Sequence, residues 1–175
     1  MTHKLILATG LAAAMAFSTS AALAQSKAAD KDSVKFIKNA IEANYAEIDA
    51  GKLAQEKGNS DAVKQYGAML VKDHTANNDK AKQVASQLGV DPPTGASVTQ
   101  QASYLKWKVL SGDTFDSTFA KDMVKDHQAD IKEFQTESQK SDPAGSFAQE
   151  SLPTLQNHLQ EARTLVQQTQ TTGSR

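Results

Sequence analysis

The chain has 175 residues, no cysteine, and 19 basic against 20 acidic residues, for a formal net charge of −1. Without a basic block or a basic face, the sequence argues against nucleic acid as the main partner. Without cysteine, the fold cannot depend on disulfides or on a thiol-based site. Alanine, glutamine, lysine, aspartate and leucine dominate, and all four prolines lie from Pro92 onward, which favours helix.

The first 24 residues have the pattern of a secretory signal peptide. Thr2-His3-Lys4 precedes an apolar run from Leu5 to Phe17, and small residues follow up to Ala24. This run is shorter than the roughly 20 residues of a membrane-spanning helix, and no second one follows. We therefore expect cleavage after Ala24, no transmembrane segment in the mature chain, and a periplasmic or secreted protein with a flexible start over residues 25–31.

The first long helix is predicted from a cap at Asp32 or Ser33 to Lys57. Apolar residues recur along it every three to four positions, as on the buried face of an amphipathic helix. Two polar residues, Asn44 and Glu47, fall within this apolar stripe. Both are therefore expected to point into the core.

The second long helix is predicted from a cap at Ser60 to Leu88, where a glycine ends it. His74 and Asn77 lie three residues apart in its apolar stripe and so share one face. Asp73 falls at the edge of the stripe. This helix also brings polar groups into the core.

A long connection over residues 89–112 follows, and it contains a turn-rich segment and a short helix. The apolar stripe predicted for the short helix is Val98, Ala102, Leu105 and Val109. We expect Tyr104 and Trp107 to pack over the side of the bundle, with a ligand lid as the alternative.

The third long helix, predicted from about Asp113 to Lys140, repeats part of the second. Residues 71–77 (VKDHTAN) return as residues 124–130 (VKDHQAD), with an aromatic residue eight positions before each histidine. His127 lies near the centre of the stripe and Asp130 also faces inward. His74 and His127 are therefore equivalent positions of two related helices.

The fourth long helix has a start signal at Asp142-Pro143. Because Pro153 lies inside the span, the helix is expected to kink there or to begin there with Ser151 as its cap. Its predicted stripe is Leu152, Leu155, Leu159, Ala162 and Val166, which leaves His158 on the flank. Residues 167–175 are polar and uncapped, and we expect a disordered tail.

The long connection determines how the second and third helices are related. A short loop would make them antiparallel, whereas residues 89–112 can return along the bundle and leave the two helices parallel. His74 and His127 then lie at one level. The sequence thus predicts an all-α, ferritin-like four-helix bundle over residues 32–166, with a long crossover that carries a short extra helix.

Several segments together resemble a family of exported bacterial proteins catalogued as domain of unknown function 4142 and grouped with ferritin-like proteins. The resemblance covers about residues 32–166, implies the fold and export, and brings no established activity. The segments that carry it are Glu47 with Gly51-Lys52-Leu53-Ala54, Met69-Leu70-Val71-Lys72-Asp73-His74, Leu110-Ser111-Gly112 through Phe115-Asp116, Met123-Val124-Lys125-Asp126-His127, and Leu152-Pro153 with His158-Leu159.

The inward polar residues have two interpretations. In the first, they bind one transition metal (Fe, Mn, Zn or Cu), since imidazole with carboxylate suits these ions. The Glu-x-x-His motifs of di-iron ferritin relatives are absent, so the standard dinuclear site is not predicted. The candidate ligands are Glu47, His74, His127, Asp130 and His158. The candidate residues behind them are Asp73, Asp126, Asn77 and Asn44.

In the second interpretation, the same residues form a hydrogen-bonded polar core that sets helix register without a cofactor. Asp73 and Asp126 would then pair with lysines at the solvent edge. The two functions left open are a metal-binding ferritin-like protein and a non-catalytic envelope or stress-related module. Expected partners are a second copy of the chain or another envelope protein, and no catalytic residue is predicted.

Overall fold

The computed structural model describes residues 29–172, and this part of the chain is an all-α bundle without strands. This confirms the predicted fold class. The predicted signal peptide, most of the predicted flexible start and residues 173–175 lie outside the described residues. None of the described helices is long and apolar enough to cross a membrane. The helices are α1 Lys31–Lys57, α2 Asp61–Gln87, α3 Val98–Lys108, α4 Gly112–Glu137 and α5 Pro143–Thr172.

The bundle consists of two helix hairpins joined by the long crossover that carries α3. α1 packs along α2 and α4 along α5, while α2–α5 and α1–α4 contacts close the square and place α2 and α4 on its diagonal. Tyr66 and Phe119 touch across the core with ring centroids 6.2 Å apart, and His74 and His127 do so at 5.8 Å. Because equivalent positions of the repeat pair in the same order, α2 and α4 run parallel. The ferritin-like topology is thus confirmed.

The start of α1 is tied to the α4–α5 connection. The cap is Asp30, whose carboxylate accepts from the Ser33 backbone N–H, so the predicted cap at Asp32 or Ser33 is two or three residues late. Ser33 is buried instead, and its hydroxyl donates to Asp142 over 2.7 Å. Lys140, predicted as the end of α4, lies beyond that helix and binds Asp30 at 2.9 Å. These contacts between the start of α1 and the α4–α5 connection explain why α1 begins earlier and α4 ends earlier than predicted.

The α1–α2 turn is held by a carboxylate from another helix. Ser60 caps α2 as predicted, accepting from the Val63 N–H. The buried Asp116 of α4 accepts from the backbone N–H groups of Asn59 and Ser60 at 2.8 and 2.9 Å. One side chain thus satisfies two donors at a helix start, where backbone N–H groups have no partner within the helix.

The orientation of α3 differs from the prediction. Val98, Leu105 and Val109 are 84, 60 and 83% exposed, whereas Trp107 is buried and its indole N–H donates to Asp122 over 2.7 Å. Burial of one indole with a satisfied N–H removes more apolar area from water than burial of any single one of these aliphatic side chains would. The predicted aliphatic stripe was therefore wrong, and the predicted packing of Trp107 on the bundle is confirmed.

α5 runs without interruption through Pro153 to Thr172. Ser151 is not a cap: it is buried, and its hydroxyl lies 2.8 Å from the Phe147 carbonyl oxygen one turn earlier. The predicted start at Pro153 was therefore wrong. Residues 167–172 are helical rather than a disordered tail, because no glycine or proline occurs after Pro153 until Gly173.

Two glycines allow α1 and α2 to approach closely. A Cβ added to Gly67 would lie 2.6 Å from the Gly51 carbonyl oxygen and 2.8 Å from the Ala54 Cβ. A Cβ added to Gly51 would lie 2.6 Å from the Gly67 carbonyl oxygen. The backbones therefore touch where no side chain fits.

The Gly67→Ala substitution is expected to lower the free energy of unfolding by roughly 1–3 kcal/mol, because the added methyl forces the two helices apart. This loss should occur although alanine favours helix by about 1 kcal/mol over glycine. Urea denaturation measures it. Gly95→Ala is the matched control, since a Cβ at Gly95 meets nothing within 4 Å. Equal effects of the two substitutions would contradict the close contact.

Candidate metal centre

Three histidines from three helices meet in the middle of the bundle. His74 of α2 is almost fully buried, and His127 of α4 and His158 of α5 are fully buried. One ring nitrogen of each lies within 4.8 Å of the others, and the ring centroids are 5.1 to 5.8 Å apart. Among the described residues, this is the group of potential ligands that converges closely enough to hold one ion.

His158 lies deeper than the sequence analysis predicted. The buried face of α5 passes through Ser151, Leu155, His158, Ala162 and Leu165, while Leu152, Leu159 and Val166 lie on its edge. The two candidate stripes share Leu155 and Ala162, and apolar content alone favoured the leucine-rich one. Burial of His158 is tolerated because its Nε2 atom has a hydrogen-bond partner in Asp73.

Each ring donates a hydrogen bond outward, away from the centre. His74 Nδ1–H donates to Asn44 Oδ1 over 2.9 Å, and His127 Nδ1–H to the Met123 carbonyl oxygen over 3.0 Å. His158 Nε2–H donates to Asp73 Oδ2 over 3.1 Å. A neutral imidazole carries only one N–H. The outer acceptors therefore set the tautomer of all three rings.

The inner nitrogens consequently present lone pairs to one another. His127 Nε2 and His158 Nδ1 are 3.3 Å apart, and His74 Nε2 is buried without a hydrogen-bond partner. In a tetrahedral zinc site with Zn–N distances of about 2.0–2.1 Å, ligand nitrogens lie roughly 3.3–3.4 Å apart. The His127–His158 pair thus has the nitrogen spacing of a zinc site, and the third ring has a ligand nitrogen within 4.8 Å of that pair.

The environment keeps these rings neutral at physiological pH. Burial, followed by the proximity of the other two rings, holds the pKa of His74 well below its usual value of 6.5. Burial also lowers the pKa of His127 to about 4, against the bond to Met123. The pKa of His158 is lowered by burial, although Asp73 opposes the shift. Neutral imidazole is the form that binds metals.

A chain of side chains supports His74 from the α1 and α5 sides. Asn44 Oδ1 also accepts from Asn77 Nδ2 over 3.3 Å, and Asn77 Oδ1 accepts from the Ser151 hydroxyl over 2.8 Å. Both asparagines were predicted from the sequence, although Asn77 is half-buried at the wall of the cavity beside the site. The roles of Ser151 and of the Met123 carbonyl oxygen were not predicted. The rotated α5 stripe could have revealed Ser151, but a backbone acceptor leaves no sequence signal.

Three predicted carboxylates lie elsewhere. Glu47, Asp126 and Asp130 line a cavity of about 370 Å³ between α1, α3 and α4, and are not part of the converging histidine group. Asn44, almost one turn before Glu47 on α1, binds His74 instead. The structure therefore does not bring Glu47 and Asp130 to the histidines, and it separates Asp126 from its counterpart Asp73.

Burial dominates the electrostatics of these carboxylates. It raises the pKa of Glu47 well above its usual value, with repulsion from Asp130 and Asp126 adding to the effect. Burial likewise raises the pKa of Asp126, with repulsion from Asp122. For Asp130, burial and then repulsion from Asp126 and Glu133 raise the pKa to about 7. These acids thus hold protons more tightly than exposed carboxylates do.

A second, smaller cavity leads to the histidine centre. It has a volume of about 170 Å³ and is lined by His74 and His158 together with Asp73, Lys80 and Ser151 among others. It lies between α2 and α5. A small ion or ligand can therefore approach the histidines from this side of the bundle.

Comparisons with known proteins agree with this fold. The family described as "Domain of unknown function (DUF4142)" matches residues 18–165, which confirms the resemblance seen in the sequence. The chain is also similar to a crystal structure of a DUF305 fragment from Deinococcus radiodurans. That match has a TM-score of 0.72 and 11% identity, covers 81% of this chain and 99% of that chain, and bears on the fold alone. No curated protein matches the sequence.

The Asp130→Asn substitution is expected to stabilise the protein by roughly 1–2 kcal/mol more at pH 8 than at pH 5. Glu47 and Tyr104 face the same cavity from α1 and α3. The pKa of Asp130 is raised from 3.8 to about 7, so folding favours its protonated form. The resulting stabilisation is complete below pH 3.8 and is lost as the pH rises through about 7.

Urea denaturation of the metal-free protein at both pH values measures this difference. Asparagine resembles the protonated aspartate and removes the penalty of ionisation. Asp79→Asn, at an exposed position of α2, is the matched control and should change stability equally at pH 5 and pH 8. If Asp130→Asn changed the free energy of unfolding equally at pH 5 and pH 8, the pKa of the Asp130 carboxyl would not be raised by folding.

Proposed function

The chain belongs to the DUF4142 family, whose description assigns no activity, and we propose a function from the site itself. The protein is an exported ferritin-like bundle that binds one Zn²⁺ or Cu²⁺ ion through His74, His127 and His158. The pattern of residues 1–24 supports export to the periplasm or beyond. The proposal therefore describes metal binding or metal handling in the cell envelope.

The observation that carries the proposal is the unpartnered inner nitrogen of His74. His74 Nε2 is buried without a hydrogen bond, although the opposite nitrogen of the same ring is well bonded. A buried polar atom without a partner costs roughly 1–3 kcal/mol. A metal ion bound to the three inner nitrogens would satisfy this atom and remove the repulsion between the lone pairs of His127 and His158.

The donor set favours two of the ions that the sequence left open. Three neutral imidazoles, with the carboxylates in a separate cavity, suit Zn²⁺ or Cu²⁺ better than Mn²⁺, which prefers oxygen ligands. The carboxylate bridges of a di-iron site have no counterpart at the histidines. Three protein ligands also leave a coordination position for water or a small ligand, which could enter through the cavity beside His158.

The alternative function is that of a non-catalytic envelope or stress-related module with a polar core. A chain of hydrogen bonds runs from Ser151 through Asn77 and Asn44 to His74. It favours the structural alternative, because it links α1, α2 and α5 without any metal ion. However, a purely structural network would gain by giving His74 Nε2 a partner. It would also avoid placing His127 Nε2 and His158 Nδ1, which both carry lone pairs, 3.3 Å apart.

Titration of tag-free, metal-free mature protein with Zn²⁺ or Cu²⁺ is expected to show about one bound equivalent by calorimetry. His127→Gln removes one of three ligands but keeps a polar side chain in the core. This variant should lose tight binding while its circular dichroism remains helical. The experiment is carried out at a pH at which the three histidines are neutral, so that protonated imidazoles cannot prevent binding. Under this condition, less than about a tenth of an equivalent of metal bound to the unsubstituted protein would rule out the metal site.

The repeat offers a matched pair of substitutions for Asp73, which orients a proposed ligand. Asp73→Asn is expected to weaken metal binding about 10- to 100-fold, because the carboxylate accepts from His158 and increases the basicity of its ring. Asp126→Asn is the same chemical change at the equivalent repeat position, and in the described structure Asp126 makes no hydrogen bond to a histidine. It should leave metal affinity unchanged. Equal losses in both variants would contradict the positioning role of Asp73.

A further inference from the structure

The cavity between α1, α3 and α4 has the features of a second binding site. Its volume of about 370 Å³ falls in the usual range for small-molecule pockets. Alanines from α1 and α4 provide apolar walls, and Tyr104 and Trp107 contribute aromatic rings from α3. The histidine centre and this cavity share no lining residue, so the two sites can be tested separately.

Glu47 is the residue that points to a ligand. It is only 6% exposed, lines the cavity, and its Oε2 atom is buried without a hydrogen-bond partner. Asp126 and Asp130 line the same cavity from α4. Lys125 of α4 also lines it, and its charge partly offsets that of Asp126. Lys125 is exposed, however, and forms no ion pair with these acids in the described structure. A buried carboxylate that lacks a donor is costly. The cavity therefore favours an occupant that brings positive charge and N–H donors.

We propose that this cavity binds a small organic cation of the alkylammonium class, such as a diamine. An ammonium group donates up to three hydrogen bonds and can satisfy Glu47 Oε2, while a second nitrogen reaches Asp126 or Asp130. The methylene chain between the nitrogens lies along the alanine walls. The structure thus assigns to this cavity a ligand with charged ends and an apolar middle.

The spread of the carboxylates favours an organic cation over a bare metal ion. The ligand atoms of Glu47, Asp126 and Asp130 do not form a group within 4.8 Å of one another, whereas those of the histidines do. One small ion could not contact all three acids without rearrangement. A flexible diamine can contact acids that lie apart.

The aromatic residues add a further match to a cation. Trp107 lines the cavity, and its indole N–H is bonded to Asp122, which holds the ring in place. Tyr104 is one turn earlier on α3 and lines the cavity as well. Aromatic faces attract ammonium groups, and tryptophan does so most strongly. α3 therefore supplies rings to a site whose acids come from α1 and α4.

The test is a titration of the mature protein with 1,4-diaminobutane at pH 8, with neutral 1,4-butanediol as the comparison. Trp107 is the only tryptophan of the chain, so its fluorescence reports on this cavity, and calorimetry measures affinity. Saturable binding of the diamine with a change in tryptophan emission, and no binding of the diol, is the expected result. Saturation at the same affinity in the zinc-loaded protein would show independence from the histidine centre.

Glu47→Gln is expected to weaken diamine binding about tenfold or more. Glutamine has a similar shape to glutamate but cannot carry the negative charge that pairs with an ammonium group. Glu56→Gln, at an exposed position of the same helix outside the cavity, is the matched control and should bind as tightly as the unsubstituted chain. If Glu47→Gln does not fold, Asp130→Asn takes its place, with the same expected direction.

Three results would overturn the proposal. The first is no saturable diamine binding at millimolar concentration. The second is unchanged affinity in Glu47→Gln and Asp130→Asn. The third is binding of Mn²⁺ or Ca²⁺ that depends on Glu47, without binding of the diamine. None of these results bears on zinc or copper at the histidines, so failure here and failure of the metal proposal are distinguishable.

Discussion

The structure depends on the burial of three imidazole rings in the centre of a four-helix bundle. Burial without hydrogen bonds would cost several kcal/mol per polar group, so each ring needs an outward acceptor. Asn44, the Met123 carbonyl oxygen and Asp73 are these acceptors, and two of the three come from a neighbouring helix. The relative register of α1, α2 and α5 must satisfy these bonds, and a shift of one turn would break them.

The same constraint explains why two copies of one motif behave differently. Asp73 and Asp126 both precede a histidine, yet Asp73 accepts from His158 of α5, whereas Asp126 lines the cavity under α3. α2 has α5 beside it, whereas that side of α4 faces the crossover. The repeat therefore supplies equivalent histidines to one centre, whereas its two aspartates lie in two different places, beside His158 and in the cavity under α3.

Much of the fold could be predicted from the sequence, because period and turn chemistry are local signals. The long helices, the cap at Ser60, and the inward positions of Asn44, His74 and His127 all follow from them. The orientation of α3 and α5 could not be predicted in this way. For α5, two stripes that share Leu155 and Ala162 have similar apolar content, and only the partners of His158 and Ser151 in other helices decide between them.

The histidine centre was only partly predictable for the same reason. Position within a stripe indicated that Glu47 faces the core, but not that Asn44 would contact His74 while Glu47 lines another cavity. Glu137 and Asn78, which are also buried, carry no sequence signal that distinguishes them from solvent-facing residues of the same kind. Helix rotation of a few tens of degrees decides such contacts, and it is set by packing.

The most direct test of this account is the tautomer of each histidine in the metal-free protein. Long-range ¹H–¹⁵N correlation spectra at pH 7 distinguish an Nδ1–H from an Nε2–H imidazole. The outward hydrogen bonds predict neutral rings with the proton on Nδ1 in His74 and His127 and on Nε2 in His158. The nitrogens that carry lone pairs are then His74 Nε2, His127 Nε2 and His158 Nδ1. An Nε2–H tautomer at His74 or His127, or a protonated ring in the centre, would contradict this prediction.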